Sequence, residues 1–123
     1  MIAVDTSSLR HFLAGEAGAD TDAVAVLLAQ RQMVLPPVVV TEILSEPQLQ
    51  RSTIDAIAAI PMLEIRDGYW VRAGELRSKV LAAGHKAKVA DALIAQCCVD
   101  HAIPLLTNDR DFRHFTRWGL VLA

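Results

Sequence analysis

Four carboxylates stand where a parallel α/β fold would bring them together, and acids so placed can hold a cation and direct water at a phosphate ester. Asp5 closes the run Ile2-Ala3-Val4, and Glu42 lies in Val38-Val39-Val40-Thr41-Glu42-Ile43-Leu44, just past Met33-Val34-Leu35. Asp91 opens Asp91-Ala92-Leu93-Ile94-Ala95, and Asp109 follows Pro104-Leu105-Leu106. In an open parallel sheet the ligand crevice lies beyond the carboxyl ends of the strands, where these acids would converge. Two unit charges about 4 Å apart repel by roughly 4 kcal/mol at an effective dielectric near 20. A divalent ion relieves that repulsion, and a hard cation such as Mg²⁺ takes oxygen ligands. The chemistry indicated is metal-assisted, most naturally on a phosphate ester. Asp5, Asp91 and Asp109 also have ordinary structural uses as helix cap, first-turn acid and turn residue. Glu42 is harder to explain that way, because an unpaired carboxylate rarely sits in so apolar a run.

The elements that must position these acids alternate along the chain, which predicts βα units and a central, mostly parallel sheet with helices on its faces. Ile2 to Asp5 reads as a strand, and Thr6-Ser7-Ser8 offers cap chemistry for a helix through about Leu13. Gly15 to Asp22 reads as a loop, Asp22 to Arg31 as a helix, and Met33 to Leu35 as a strand stopped by Pro36-Pro37. Val38 to Ser45 is ambiguous: its valines favour a strand, yet a helix ending at Pro47 would face Glu42 to the cleft. Then follow a helix from Gln48 to Ile60, a strand from Met62 to Arg66, and a long amphipathic helix from Gly68 to Ala83 capped by Gly84. Helix Val89–His101, strand Pro104–Thr107, helix Arg110–Phe115 and strand Leu120–Leu122 complete the series.

At 123 residues, more than half of them apolar, the chain fits one domain spanning 1–123 with a core that needs no disulfide. Its only cysteines, the adjacent Cys97 and Cys98, match neither a disulfide framework nor a zinc spacing and read as core residues of a reducing cytosol. No apolar run has the length of a membrane span, and no secretory signal is visible, so a cytoplasmic protein is expected. The net charge of −2 hides an uneven distribution. Arg66, Arg72, Arg77, Lys79, Lys86 and Lys88 face only Asp67 and Glu75 in their stretch, and Arg110, Arg113, His114 and Arg117 follow Asp109, the last of the four acids. Basic rims around an acidic centre would suit a polyanion, while a solvated helix face is the plainer reading.

Four stretches together carry a family resemblance: Val4-Asp5-Thr6-Ser7-Ser8-Leu9, Val40-Thr41-Glu42-Ile43, Ala90-Asp91-Ala92-Leu93-Ile94-Ala95 and Leu105-Leu106-Thr107-Asn108-Asp109-Arg110-Asp111-Phe112. In that order the chain resembles the PIN-domain ribonucleases, most closely the VapC-type toxins of toxin–antitoxin pairs. The resemblance implies a three-layer PIN-like α/β fold, Mg²⁺- or Mn²⁺-dependent endoribonuclease activity, a homodimer, and inhibition by a cognate antitoxin. It makes Asp5, Glu42, Asp91 and Asp109 the metal-binding, catalytic acids. Asp5, Asp91 and Asp109 would hold one ion, with Glu42 orienting the attacking water or sharing a second. Asp111 ranks below Asp109, and for Thr6 and Thr107 capping is the first reading. The antitoxin is expected to lay an apolar helix near the first helices, against residues such as Leu9, Phe12 and Leu13, and to extend a basic side chain among the acids.

Two other classes compete. A phosphoaspartate domain also puts an Asp after its first strand, but the dehalogenase type wants a second Asp where Ser7 stands, and a receiver wants a late lysine where none follows Lys88. A non-catalytic PIN-like interaction module would keep the fold and typically lose an acid; this chain keeps all four. The histidines, His11, His85, His101 and His114, lie in unrelated sequence contexts and adjoin none of the four acids.

Overall fold

Asp5 leaves the middle strand of a three-stranded parallel sheet, so the first acid sits at the centre of the sheet's carboxyl edge. The computed structural model describes residues 1–123. Strands β1 (Ile2–Val4), β2 (Met33–Val34) and β3 (Leu105–Leu106) run in the order β2-β1-β3, with Ile2 opposite Met33 and Ala3 opposite Leu105. Helices α1 (Thr6–Leu13), α2 (Ala19–Ala29), α3 (Pro37–Leu44), α4 (Arg51–Ala58), α5 (Tyr69–Ala82) and α6 (Val89–His101) connect and cover them, and a 3-10 helix spans Arg110–Trp118. Short, fully apolar strands are what a sheet buried on both faces requires. Ala3, Val4, Leu35 and Leu105 are wholly inaccessible and centre the core, joined by Val39, Val80, Ile94, Phe112 and Phe115.

The ambiguous segment is a helix. Pro37 occupies its first turn and Pro36 is extended with ψ 138, the conformation proline imposes on the residue before it. Val39 and Ile43, four residues apart, turn inward together, and that burial outweighs the strand preference of the valines. The expected strands at Met62–Arg66 and Leu120–Leu122 shrink to single parallel bridges, Leu35 with Met62 and Leu105 with Leu122, at opposite edges of the sheet. Residues 15–22 are not all loop, because α2 begins at Ala19 over the Gly18 carbonyl, which accepts from Thr21. The helix expected over Gln48–Ile60 is shorter, and the last helix is of the tighter 3-10 type. Gly84 does take the left-handed conformation, φ 86, after α5.

The cysteines are core residues: Cys97 and Cys98 are each 1% exposed, and burial pushes their thiols up to about 11 and about 12. Thiols that stay protonated near neutrality are poor nucleophiles. Tyr69 is buried too, its hydroxyl donating to the Leu93 carbonyl at 2.6 Å, whereas its neighbour Trp70 is 65% exposed. No helix is long and apolar enough to cross a membrane.

Candidate active site

Each acid arrives on a different element. Asp5 caps α1, Glu42 sits on α3, Asp91 in the first turn of α6, and Asp109 caps the 3-10 helix. All four line one small polar cleft of about 130 Å³ at the carboxyl edge of the sheet, together with Thr6, Ser7, Arg10 and Lys88. The sequence-predicted set is therefore brought together as a whole.

Hydrogen bonds fix three of the four carboxylates. Asp5 Oδ1 accepts from the Ser8 amide at 3.1 Å, Ser7 Oγ donates to both Asp5 oxygens at 3.0 and 2.8 Å, and Thr107 Oγ1 donates to Oδ2 at 2.8 Å. The same Thr107 hydroxyl accepts from the Asp109 amide at 2.9 Å, tying the first and last acids to one oxygen. Asp109 Oδ1 accepts from the Asp111 amide at 2.9 Å, and Thr6 Oγ1 donates to Glu42 Oε1 at 2.6 Å. Thr6 therefore grips an acid 36 positions away rather than capping its own helix. Asp111 holds Asp109 through its backbone, and its carboxylate turns towards His114, 4.0 Å from Nε2. Capping thus coexists with site geometry, because the bonds that start two helices also aim Asp5 and Asp109.

Asp91 accepts none of these bonds. Burial pushes its carboxyl up to about 6; Asp109, Asp5 and Glu42 push the same way, and Lys88 opposes them. Burial also raises Asp5, against the lowering hydrogen bonds from Ser8, Thr107 and Ser7. The acids feel one another as the repulsion argument requires. No group of three or more His, Cys, Asp or Glu side chains is gathered into a ready-made chelate. What the cleft offers is an all-oxygen donor set with excess negative charge, chemistry that fits a hard divalent cation and not a soft one.

The basic rims need correcting. Arg72 clasps Asp100 with Nε and Nη2 at 3.1 and 2.6 Å, and Arg66 donates to the Asp100 carbonyl. Asp100 is nine residues beyond Asp91, about 14 Å along α6. These two arginines brace the far end of α6 and do not border the cleft. Lys88 and Arg10, which sequence reasoning did not single out as site residues, do line it. For Lys88 the signal was its place in the basic stretch next to Asp91, and none pointed to Arg10. The histidines are not all unrelated in space either: His85 stacks on His114 with ring centroids 4.2 Å apart.

Comparison with known proteins decides the family, since the PIN domain model matches residues 2–117. The chain belongs to the PIN domain family. No curated protein matches it in sequence. Among solved structures, the VapBC2 complex from Rickettsia felis, bound to a DNA fragment from its promoter, superposes with a TM-score of 0.78 at 18% identity, covering 100% of this chain and 98% of that one. FitAcB from Neisseria gonorrhoeae gives 0.73 at 19% identity, covering 100% and 97%. VapBC-5 of Mycobacterium tuberculosis, a toxin–antitoxin system, gives 0.68 at 16%, covering 99% and 98%. This PIN chain thus shares its whole fold with them, the PIN-like three-layer arrangement included.

Proposed function

We propose that residues 1–123 act as one nuclease domain, a metal-dependent endoribonuclease and the toxin of a toxin–antitoxin pair. The observation that carries this reading is the meeting of Asp5, Glu42, Asp91 and Asp109 from four separate elements in one cleft. Asp5, Asp91 and Asp109 would hold Mg²⁺ or Mn²⁺. When bound, the cation supplies charge neutralisation and an activated water for attack on phosphorus. The chain does the rest. Thr107 keeps Asp5 and Asp109 in fixed relation, and Thr6 keeps Glu42 turned into the cleft, where it orients the attacking water. In-line attack forms a new oxygen–phosphorus bond and breaks the bond to the 3′ oxygen, which takes up a proton. The products are a 5′ phosphate and a 3′ hydroxyl.

The partners follow from the same reading. The antitoxin's apolar helix fits the groove of Leu13, Ala14 and Leu49 beside Arg10, floored by the buried Ile43, while Leu9, 1% exposed, belongs to the core instead. Its basic side chain would enter among the acids, where charge-assisted contacts with carboxylates are strongest. A homodimer would cover the exposed Trp70, Leu81 and Val89, which border a groove of about 800 Å³ between α5 and α6. The protein acts in the cytoplasm on this reading.

The test incubates single-stranded RNA with the protein in Mg²⁺, Mn²⁺ or EDTA, with Asp5→Asn as control. Cleavage that needs the metal and is lost in Asp5→Asn is the expected result. The open spacing of the acids is the one observation that favours a non-catalytic interaction module. Absence of cleavage in every condition, by a folded protein, selects that module.

A further inference from the structure

Between α5 and α6 the five residues Gly84 to Lys88 are pinned at three points. The His85 amide donates to the Val80 carbonyl at 3.2 Å, the Ala87 carbonyl accepts from Arg77 Nε at 2.8 Å, and the His85 ring lies on His114 with planes 10° apart. A loop with no task could be left looser. Ala87 is turned inward at 7% exposure, and the residues on either side of it, Lys86 and Lys88, are exposed. Neither lysine forms an ion pair, unlike Arg72. Lys88 reaches the carboxylate cleft, Lys86 lies one alternation away, and the exposed His85 ring follows.

We propose that this loop is a preorganised guide for the RNA strand leaving the cleft. Lys88 binds a phosphate beside the scissile one, Lys86 binds the next, and the outer face of His85, backed by His114, stacks a base. Alternate residues of extended backbone stand about 7 Å apart, a reach suited to successive phosphates of an extended single strand. Imidazole is among the rings on which unpaired bases stack, and stacking tolerates any base. Pinning the loop means that little ordering is left to be done when the strand binds. The inference rests on the ribonuclease reading and adds the path of the substrate.

The experiment measures binding of a labelled single-stranded oligoribonucleotide in EDTA over a range of salt, and cleavage kinetics in Mg²⁺, for wild type, Lys86→Ala, His85→Ala and His85→Phe. Removing Lys86 should flatten the dependence of log affinity on log salt by about 0.7 and raise KM with kcat little changed. His85→Ala should weaken binding on the order of tenfold, and His85→Phe should restore most of it. If His85→Ala fails to fold, Lys86→Ala, an exposed residue, still decides. A wild type that cleaves RNA while Lys86→Ala and His85→Phe against His85→Ala show no change overturns the guide and leaves the ribonuclease standing. A wild type that neither binds nor cleaves single-stranded RNA overturns both.

Discussion

Asp91 is the acid held least by hydrogen bonds, and it is raised first by burial and then by the charges of Asp109, Asp5 and Glu42. Its carboxyl is raised from 3.8 to about 6, so the folded protein binds that proton more tightly than the unfolded chain does. The sign follows from linkage: ionised Asp91 destabilises the metal-free fold fully above about pH 6, and the penalty fades as pH falls towards 3.8. In EDTA, Asp91→Asn should therefore melt higher than wild type at pH 7.5, and the two curves should meet near pH 4. A variant that melts lower at pH 7.5 would mean that the carboxylate is paired and not repelled. The four acids were legible from sequence because an acid just after an apolar run (Asp5, Asp109), inside one (Glu42) or at a helix start (Asp91) is a local signal. The grip of Thr107 on Asp5 was not, since the two are 102 positions apart and nothing local to a threonine names its partner.

The elements were read well where one burial pattern dominated. Residues 6–13 match α1 because the Asp5 cap and the inward face agree, and residues 89–101 match α6, which has no side-chain cap at its start, because of its run of inward-facing residues. Residues 38–45 stayed ambiguous because β-branched side chains and a proline start point in opposite directions, and only packing against the core decides. Strands at the sheet edges were overextended, since pairing depends on a neighbouring backbone that the segment itself does not encode. Two helix ends carry strain, at Arg31 past α2 (φ 53) and at Ala102. Ala102 closes α6 in the left-handed conformation, φ 51, without the glycine that usually stands there. Replacing Ala102 with Gly relieves a cost of about 1–2 kcal/mol but adds freedom to the unfolded chain, for a net gain of roughly 0.5–1 kcal/mol. Denaturant unfolding checks this as a higher midpoint with unchanged slope; a lower midpoint would contradict it.

For the whole molecule, sequence reading reached the parallel sheet, the helical layers and the meeting of the four acids together, because the acids and the topology imply one another at the strand ends. It misjudged the charge field, since chain position cannot show that Arg66 and Arg72 are used up at the far end of α6. The cleft's excess charge makes a global prediction. Mg²⁺ or Mn²⁺ should raise the melting temperature, by the equivalent of about 2.7 kcal/mol at a hundred times the dissociation constant. Asp5→Asn should gain much less; equal gains would put the ion elsewhere. The measurement closest to the central claim is the rate of RNA cleavage by Asp91→Asn beside wild type at saturating Mg²⁺, with folding confirmed by circular dichroism. Changing a residue that only supports a metal ligand typically costs 10–100-fold, so losing a ligand's charge should cost at least about a hundredfold. A fall of that size in a folded protein is the predicted result, and near-wild-type cleavage by Asp91→Asn would contradict the assignment of the cleft as the catalytic site.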